Sequence, residues 1–228
     1  EQVRAQIDAY ADAITQVAAR LQAVIDEHGP ESVGVYIGNP NAFNCLAGPA
    51  AALFLLMLGS SKIFSAATQD CSNKFAVSDI LYGSTDLHPV ADLEHTDHFL
   101  LIGSNPRISK GSFISVPDPI ATLKGIVKRG GTVTFVNPLR IEPDICDTIQ
   151  IRPDTDAYLL ASMLHHIDRT VGFDTGDIAD AAFNLDTLRT WIADYAPERV
   201  APIVGLDAAT IERLATDFAA APTASVHM

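Results

Sequence analysis

Short apolar runs alternate along the chain with longer segments in which apolar residues recur at helical spacing. The runs at 33–38, 62–64, 98–103, 132–136 and 147–151 are rich in β-branched or other apolar residues and predict strands. The run after His98 is apolar throughout, which is typical of a strand covered on both faces. We therefore expect that run to lie in a sheet packed between layers of helices.

Apolar residues at helical spacing predict helices at 14–25, 46–58, 75–81, 120–128, 156–167, 180–193 and 207–219. Asp154 and Thr155 are expected to cap the helix that begins near residue 156. Strands that alternate with helices favour βαβ units and a parallel sheet. The predicted fold class is α/β, with a mostly parallel, Rossmann-like three-layer sheet that carries helices on both faces.

The order of the predicted elements suggests two domains. Residues 1–66 are predicted to form a partial α/β domain, and residues 221–228 a strand that returns to it. Residues 67–220 are predicted to form a second α/β domain. The chain opens inside a helical pattern and stops where a strand should begin, so we expect it to be the middle of a longer protein.

Composition narrows the classes of partner. The net charge of −13 argues against nucleic acid or an anionic membrane surface, because both bind clustered Lys and Arg. An anionic small ligand stays possible, since backbone N–H groups bind phosphate whatever the net charge. No apolar run approaches the roughly 18 residues of a membrane span, and no signal peptide is visible. We expect a cytoplasmic protein, with the periplasm as the alternative because an N-terminal segment is missing.

The three cysteines, Cys45, Cys71 and Cys146, are too few and too widely spaced for a disulfide scaffold or a CxxC metal site. The segment Thr68 to Lys74 holds the densest set of reactive side chains. Cys71 could be a thiolate metal ligand or a nucleophile, and Asp70 an oxygen ligand to a metal. The alternative is a capped helix with a buried cysteine.

Small or polar residues and a proline follow three of the predicted strands, at 38–40, 103–106 and 137–140. Ligands bind parallel sheets beyond the carboxyl ends of the strands. Asn-Pro after a strand is ordinary turn chemistry, but three such turns at one sheet edge favour a ligand site. The common nucleotide and hydrolase motifs GxGxxG, GxxxxGK[ST] and GxSxG are absent. Asp154 or Asp156 could accept hydrogen bonds from a guanine, while the other caps the helix.

The order and spacing of these segments resemble the molybdopterin oxidoreductases of the dimethyl-sulfoxide-reductase superfamily, such as formate dehydrogenases and nitrate reductases. The matching segments are VYIGNP (35–40), SAATQDCSNK (65–74), YG (82–83), DLEHTD (92–97), LIGSNP (101–106) with Ser109, VNPLR (136–140), IRPDTD (151–156) and GLD (205–207). In that family two pterin-guanine dinucleotides chelate one Mo or W ion, and the middle α/β domain binds one of them.

The resemblance implies a role for each strand-end segment. Gly103, Asn105 and Ser109 would contact the phosphate and sugar region of the molybdopterin guanine dinucleotide. The remaining implied contacts are Asn137 and Arg140 near the ribose and diphosphate, and Thr155 and Asp156 near the guanine.

By the same resemblance, the loop at Asp70 and Cys71 falls where many members supply the protein ligand to the metal. Lys74 would lie close to it and stabilise an anionic substrate or cofactor. Which of Asp70 and Cys71 is nearer the metal stays open. These three residues are the candidate catalytic residues.

The departures from the family pattern also matter. The cysteine-rich segment that holds a 4Fe-4S cluster is not in this sequence, nor is the domain that closes over the second dinucleotide. We expect both in missing segments of the same enzyme, together with an electron-transfer partner, and we expect the isolated piece to be inactive. Two alternatives remain: a non-catalytic relative, such as the large iron–sulfur subunit of NADH dehydrogenase, or a plain α/β nucleotide-binding module.

Overall fold

The computed structural model describes residues 2–38, 41, 44–142, 144–176 and 179–228. The chain forms two compact units, of which the first ends at His88 and the second begins at Pro89. The sequence suggests a boundary after residue 66 instead. The difference arises because the segment after residue 66 is tied to the end of the first unit. His88 accepts or donates a 2.8 Å hydrogen bond with Ser78, and its ring lies 5.3 Å from that of Phe75.

The first unit pairs two short parallel strands, in register from Val35↔Ile63 to Ile37↔Ser65. Its elements are α1 (Gln2–His28), a 3-10 turn (Pro30–Ser32), β1 (Val35–Ile37), α2 (Ala47–Leu58), β2 (Ile63–Ser65), α3 (Ala67–Asp70) and α4 (Ser72–Tyr82). Gly59 ends α2 with a φ of 79°, a left-handed conformation that is unfavourable for a residue with a side chain. Many apolar side chains of α1 and α2 are exposed in this unit, among them Ile7, Ile14 and Leu56.

The second unit is built on a four-stranded sheet in the order β5-β4-β3-β6. Its elements are β3 (His98–Ile102), α5 (Pro106–Ser109), α6 (Pro119–Lys128), β4 (Thr132–Val136), β5 (Thr148–Ile149), α7 (Asp156–Thr170), α8 (Leu185–Ile192), α9 (Pro197–Val204), α10 (Ala208–Ala220) and β6 (Ala224–His227). All neighbouring strands run parallel. The returning strand expected to serve the first domain is β6, and it pairs with β3 of the second unit.

Alternate side chains of β3 enter opposite core layers. Leu100 and Ile102 pack with residues of α7, α9 and α10. Phe99 and Leu101 pack with residues of α6 and of β4. Both faces of this sheet are therefore covered, which explains why the run after His98 is apolar at every position. The parallel α/β fold class predicted from the sequence is confirmed.

Several predicted boundaries differ from the structure. The strand predicted at 147–151 is reduced to β5, and the helix predicted at 180–193 begins only at Leu185, after Asn184 adopts a φ of 61°. The helix α9 was not predicted, although Pro197 at its first turn and Gly205 after its end are ordinary helix signals. The expected cap of α7 is confirmed only in part, because Thr155 does occupy the N-cap position of the helix. Asp154 has a φ of 62°, and the Thr155 side chain makes no capping bond to the helix.

Candidate functional site

The C-terminal ends of β3, β4 and β5, here called their exits, lie side by side at one edge of the sheet in the second unit. The N–H of Gly103 donates to the carbonyl of Val136 (2.9 Å), and the N–H of Asn137 donates to the carbonyl of Ile149 (3.1 Å). Gly103 has a φ of 70°, and a Cβ placed there would meet no atom within 4 Å. The backbone at this exit is thus open to a ligand. The other expected turn follows β1 in the first unit, and its Asn39 and Pro40 lie outside the described residues.

Asn105 and Ser109 mark the two ends of the short helix α5, directly after β3. The side-chain oxygen of Asn105 accepts a 3.0 Å hydrogen bond from the N–H of Arg107, so Asn105 caps the helix. The Ser109 hydroxyl is buried and has no hydrogen-bond partner among the described residues. A buried polar group without a partner costs about 1–3 kcal/mol. A ligand that met this hydroxyl after a side-chain rotation would remove that cost.

Asn137 and Arg140 follow β4 on the same edge. Asn137 is buried, and its side-chain oxygen accepts a 2.9 Å hydrogen bond from the N–H of Leu139, which shapes the turn. Arg140 is exposed and has no ion-pair partner in the part of the chain that the structure describes. Its guanidinium is therefore available to an anion such as a diphosphate.

Thr155 and Asp156 stand where the chain enters α7, after the exit of β5. The Thr155 hydroxyl donates to the carbonyl of Arg152 (2.6 Å) and is thereby engaged in the turn. The Asp156 carboxylate is half-buried in the first turn of the helix and makes no hydrogen bond or ion pair with a described residue. The turn is held on α9 because the N–H of Arg152 donates to the carbonyl of Val204 (2.9 Å).

An ion pair that sequence reasoning missed joins the exits of β3 and β4. Arg107 donates from Nε to both carboxylate oxygens of Glu142 (2.9 Å each) and from Nη2 to one of them (2.6 Å). Hydrogen bonding to Glu142 raises the pKa of Arg107. Glu142 is buried and has a φ of 39°, a left-handed conformation that costs a non-glycine residue ~1–3 kcal/mol. The two residues are 35 positions apart, so no local pattern could have paired them.

In the first unit, the candidate metal-proximal residues surround the junction of α3 and α4. Asp70 ends α3, Cys71 links the two helices, and Lys74 lies in the first turn of α4. A cleft of about 450 Å³ opens beside them. It is lined by β1, the end of β2 and the helix α3, through Tyr36, Ser65, Ala66, Thr68, Gln69 and Asp70.

The pKa values of Cys71 and Lys74 both depart from their ordinary values. Burial raises the pKa of the Cys71 thiol, the Asp70 carboxylate raises it further, and the Lys74 ammonium opposes them. Burial lowers the pKa of Lys74. Cys71 is therefore a neutral thiol near neutral pH, which disfavours a role as a free nucleophile. A bound cation would reverse this balance, because metal ligation deprotonates a thiol.

The described residues contain no group of three or more His, Cys, Asp and Glu side chains that could hold a metal ion. His98 is buried in the sheet, where its ring contacts the Thr134 hydroxyl (3.0 Å) and the carbonyl of Asp217 (3.3 Å). His95 instead pairs with Asp92 at 2.8 Å. Among the described residues, no helix is long and apolar enough to cross a membrane.

A sequence profile described as molybdopterin oxidoreductase matches residues 10–171. The chain belongs to the molybdopterin oxidoreductase family. The match includes the exits of β1 to β5 and the whole of the loop at Asp70 and Cys71.

Curated relatives cover nearly all of this chain. It is 27% identical to acetylene hydratase of Syntrophotalea acetylenica over 94% of its length, 30% identical to nitrate reductase of Symbiobacterium thermophilum over 92%, and 24% identical to formate dehydrogenase H of Escherichia coli over 94%. The solved structure of acetylene hydratase from Pelobacter acetylenicus superposes with a TM-score of 0.67 at 25% identity, over 95% of this chain. The chain spans only 28% to 30% of the curated relatives' length.

Proposed function

We propose that this chain is the part of a Mo or W enzyme that binds one of two pterin-guanine dinucleotides, at the edge where β3, β4 and β5 end. The observation that carries the proposal is the hydrogen-bonded series of strand exits, with an open backbone at Gly103. The hydroxyl of Ser109, the last residue of the helix that follows β3, is buried without a described partner and fits a ligand rich in polar groups. Parallel sheets bind their ligands at this edge.

Different residues of this edge would bind different parts of the dinucleotide. Gly103 and Asn105 would approach the phosphate and sugar region with Ser109, and Arg140 would neutralise the diphosphate beside Asn137. The Asp156 carboxylate would accept hydrogen bonds from the N1–H and amino group of the guanine, a donor pair that a carboxylate matches well. The chain thus binds and orients the cofactor without a phosphate-binding glycine motif.

The loop of the first unit would supply the group nearest the metal in the full-length enzyme. Asp70 offers an oxygen ligand and Cys71 a sulfur ligand, while Lys74 would hold an anion close by. Asp70→Ala and Cys71→Ala should show which of the two residues is the ligand. The variant that lacks the ligand should differ from the wild-type protein in its metal content or in the spectrum of the bound metal. Cys45→Ala is the matched control, because Cys45 is an exposed cysteine outside this loop.

The chemistry belongs to the full-length enzyme. A pterin-chelated Mo or W ion would supply two-electron redox chemistry there, and a 4Fe-4S cluster in another segment and an electron-transfer partner would take up the electrons. One relative is named acetylene hydratase, whereas the others are named nitrate reductase and formate dehydrogenase H, and we favour oxidoreduction as the reaction class. The isolated piece would bind part of the cofactor and be inactive.

Metal and nucleotide analysis of the full-length protein tests the proposal. We expect Mo or W in the purified protein and GMP released from it by acid hydrolysis. Absence of both the metal and the pterin would favour the non-catalytic relative. Binding of GDP as tight as that of the pterin cofactor would favour the plain nucleotide-binding module.

The guanine contact has its own test in Asp156→Asn. Hydrogen bonds to a charged group are worth about 1.5–3 kcal/mol, so cofactor affinity should fall about ten- to hundredfold. Asp154→Asn is the control: Asp154 is an exposed carboxylate two residues away, and Asn tolerates its positive φ. Equal cofactor retention in the two variants would rule out the guanine contact at Asp156.

A further inference from the structure

A buried carboxylate in the loop that follows β4 pairs with an arginine of α5, which follows β3. The Glu142 side chain is 7% exposed, whereas that of its partner Arg107 is 55% exposed. The three hydrogen bonds between the two side chains are 2.9 Å or shorter, and two nitrogen atoms of the Arg107 guanidinium donate to the Glu142 carboxylate. Because both groups are planar, a paired contact between a guanidinium and a carboxylate fixes their relative orientation as well as their separation.

Each partner lies close in sequence to residues proposed to bind the cofactor. Arg107 is two residues after Asn105 and two before Ser109 on α5, and Glu142 is two residues after Arg140 in the loop that follows β4. The pair is therefore a direct cross-link between the loop that follows β3 and the loop that follows β4.

The loop after β4 is held from two further sides. The Thr148 hydroxyl accepts from the N–H of Ile141 and donates to its carbonyl, both at 3.0 Å. The Lys124 ammonium pairs with Asp144, and both of those side chains are about half exposed. Among the ion pairs that the described residues of this loop make, the Arg107–Glu142 pair reaches the loop after β3, and its carboxylate is buried.

We propose that Arg107 and Glu142 are positioning residues that set the spacing of the two strand-exit loops and thereby the affinity for the pterin-guanine dinucleotide. The inference rests on the proposed function, and it adds a determinant that the sequence motifs do not contain. The strained φ of Glu142 fits this role, because an unfavourable backbone conformation persists only where surrounding contacts over-determine it. Neither residue needs to touch the cofactor.

Cofactor retention in variants of the full-length protein tests the pair. Glu142→Gln and Arg107→Gln should each lower bound pterin and bound GMP per protein at least tenfold at limiting cofactor. The double variant should be no worse than either single one, since residues that act as one pair are not additive. Arg107→Lys keeps the charge but not the paired geometry, so it should restore less than half of the loss.

The exposed pair on the same loop provides the matched control. Lys124→Gln and Asp144→Asn should change cofactor retention less than threefold, because exposed ion pairs contribute little. Loss of cofactor in these variants equal to that in Glu142→Gln would overturn the proposal, since any disturbance of the loop would then suffice.

A variant without the charges separates positioning from folding. Replacing both partners by apolar residues leaves no unpaired charge at the buried position of Glu142, so Arg107→Met with Glu142→Met should keep the thermal midpoint while cofactor retention falls about tenfold. Wild-type retention in this double variant would overturn the proposal. If the wild-type protein itself carries no pterin or GMP, the proposed function fails; if it carries both and Glu142→Gln does too, only the pair's role fails.

Discussion

At the scale of residues, buried hydroxyls that lack a hydrogen-bond partner are the positions of the second unit where a single substitution is most informative. The described residues contain two buried hydroxyls that lack a hydrogen-bond partner, Ser109 and Ser162. Ser109 lies at the proposed cofactor edge, whereas Ser162 lies in the interior of α7. Both hydroxyls are buried without a described partner, but only Ser109 lies at the proposed cofactor edge. Substitutions at the two positions therefore separate an effect on cofactor binding from an effect on stability.

Ser109→Ala should stabilise the cofactor-free protein and lower its affinity for the cofactor. Removing an unpartnered buried hydroxyl relieves a penalty of about 1–3 kcal/mol, so the free energy of unfolding without cofactor should rise or stay level. Bound GMP per protein should fall, because the hydroxyl is then missing from the site. Denaturant titration and GMP release measure the two effects.

Ser162→Ala is the control for that prediction. It should raise the free energy of unfolding as well, since Ala is also the better helix former, but it should leave GMP release unchanged. Equal GMP release from Ser109→Ala and the wild-type protein would remove Ser109 from the cofactor site.

At the scale of elements, close packing at a turn decides which substitutions the sheet of the second unit tolerates. Gly131 lies between α6 and β4, and a Cβ there would come within 2.8 Å of the Asp97 carbonyl oxygen and of the Ile126 side chain. Gly125 lies inside α6, and a Cβ there would meet nothing within 4 Å. The same Gly→Ala change therefore has opposite consequences six residues apart.

Gly131→Ala should lower the free energy of unfolding by about 1–3 kcal/mol, because the backbone of β4 must shift away from the new methyl group. Gly125→Ala should raise it by roughly 0.5–1 kcal/mol through helix propensity. Thermal unfolding of the cofactor-free protein measures both. A Gly131→Ala protein as stable as the wild type would show that this turn adjusts freely.

Element prediction succeeded where the signal was local. The limits of β4 were predicted as the structure has them, and α6 differs by one residue, because apolar periodicity reports a packed face. The two-residue β5 is shorter than its apolar run because its pairing with β4 covers only Phe135↔Thr148 and Val136↔Ile149. Pairing length depends on the neighbouring strand, which no local pattern contains.

At the scale of the whole molecule, exposed apolar side chains are the main unsatisfied feature. Along α1 of the first unit, Ile7 is 61% exposed, Tyr10 72% and Ile14 69%. Patches of this kind normally meet other protein. The relatives are more than three times as long as this chain, and we expect further segments of a longer protein to cover these side chains.

The chain expressed by itself should therefore self-associate. Ile7→Lys with Ile14→Lys should raise the monomer fraction in analytical ultracentrifugation, because both substitutions place charge on the apolar stripe of α1. Ala5→Lys with Gln16→Lys adds the same charge to other exposed positions of α1 and should change the monomer fraction less. Equal effects of the two pairs would assign self-association to net charge and not to the stripe.

The sequence by itself determined the α/β class, most helices and strands, and the polar turns at the strand exits, because each depends on residues within a few positions of one another. Only the tertiary structure decided that β6 pairs with β3, more than a hundred residues away, and that Glu142 is buried against Arg107. Both depend on which distant segments meet. Periodicity shows that a face is buried, but it does not identify the segment that buries it.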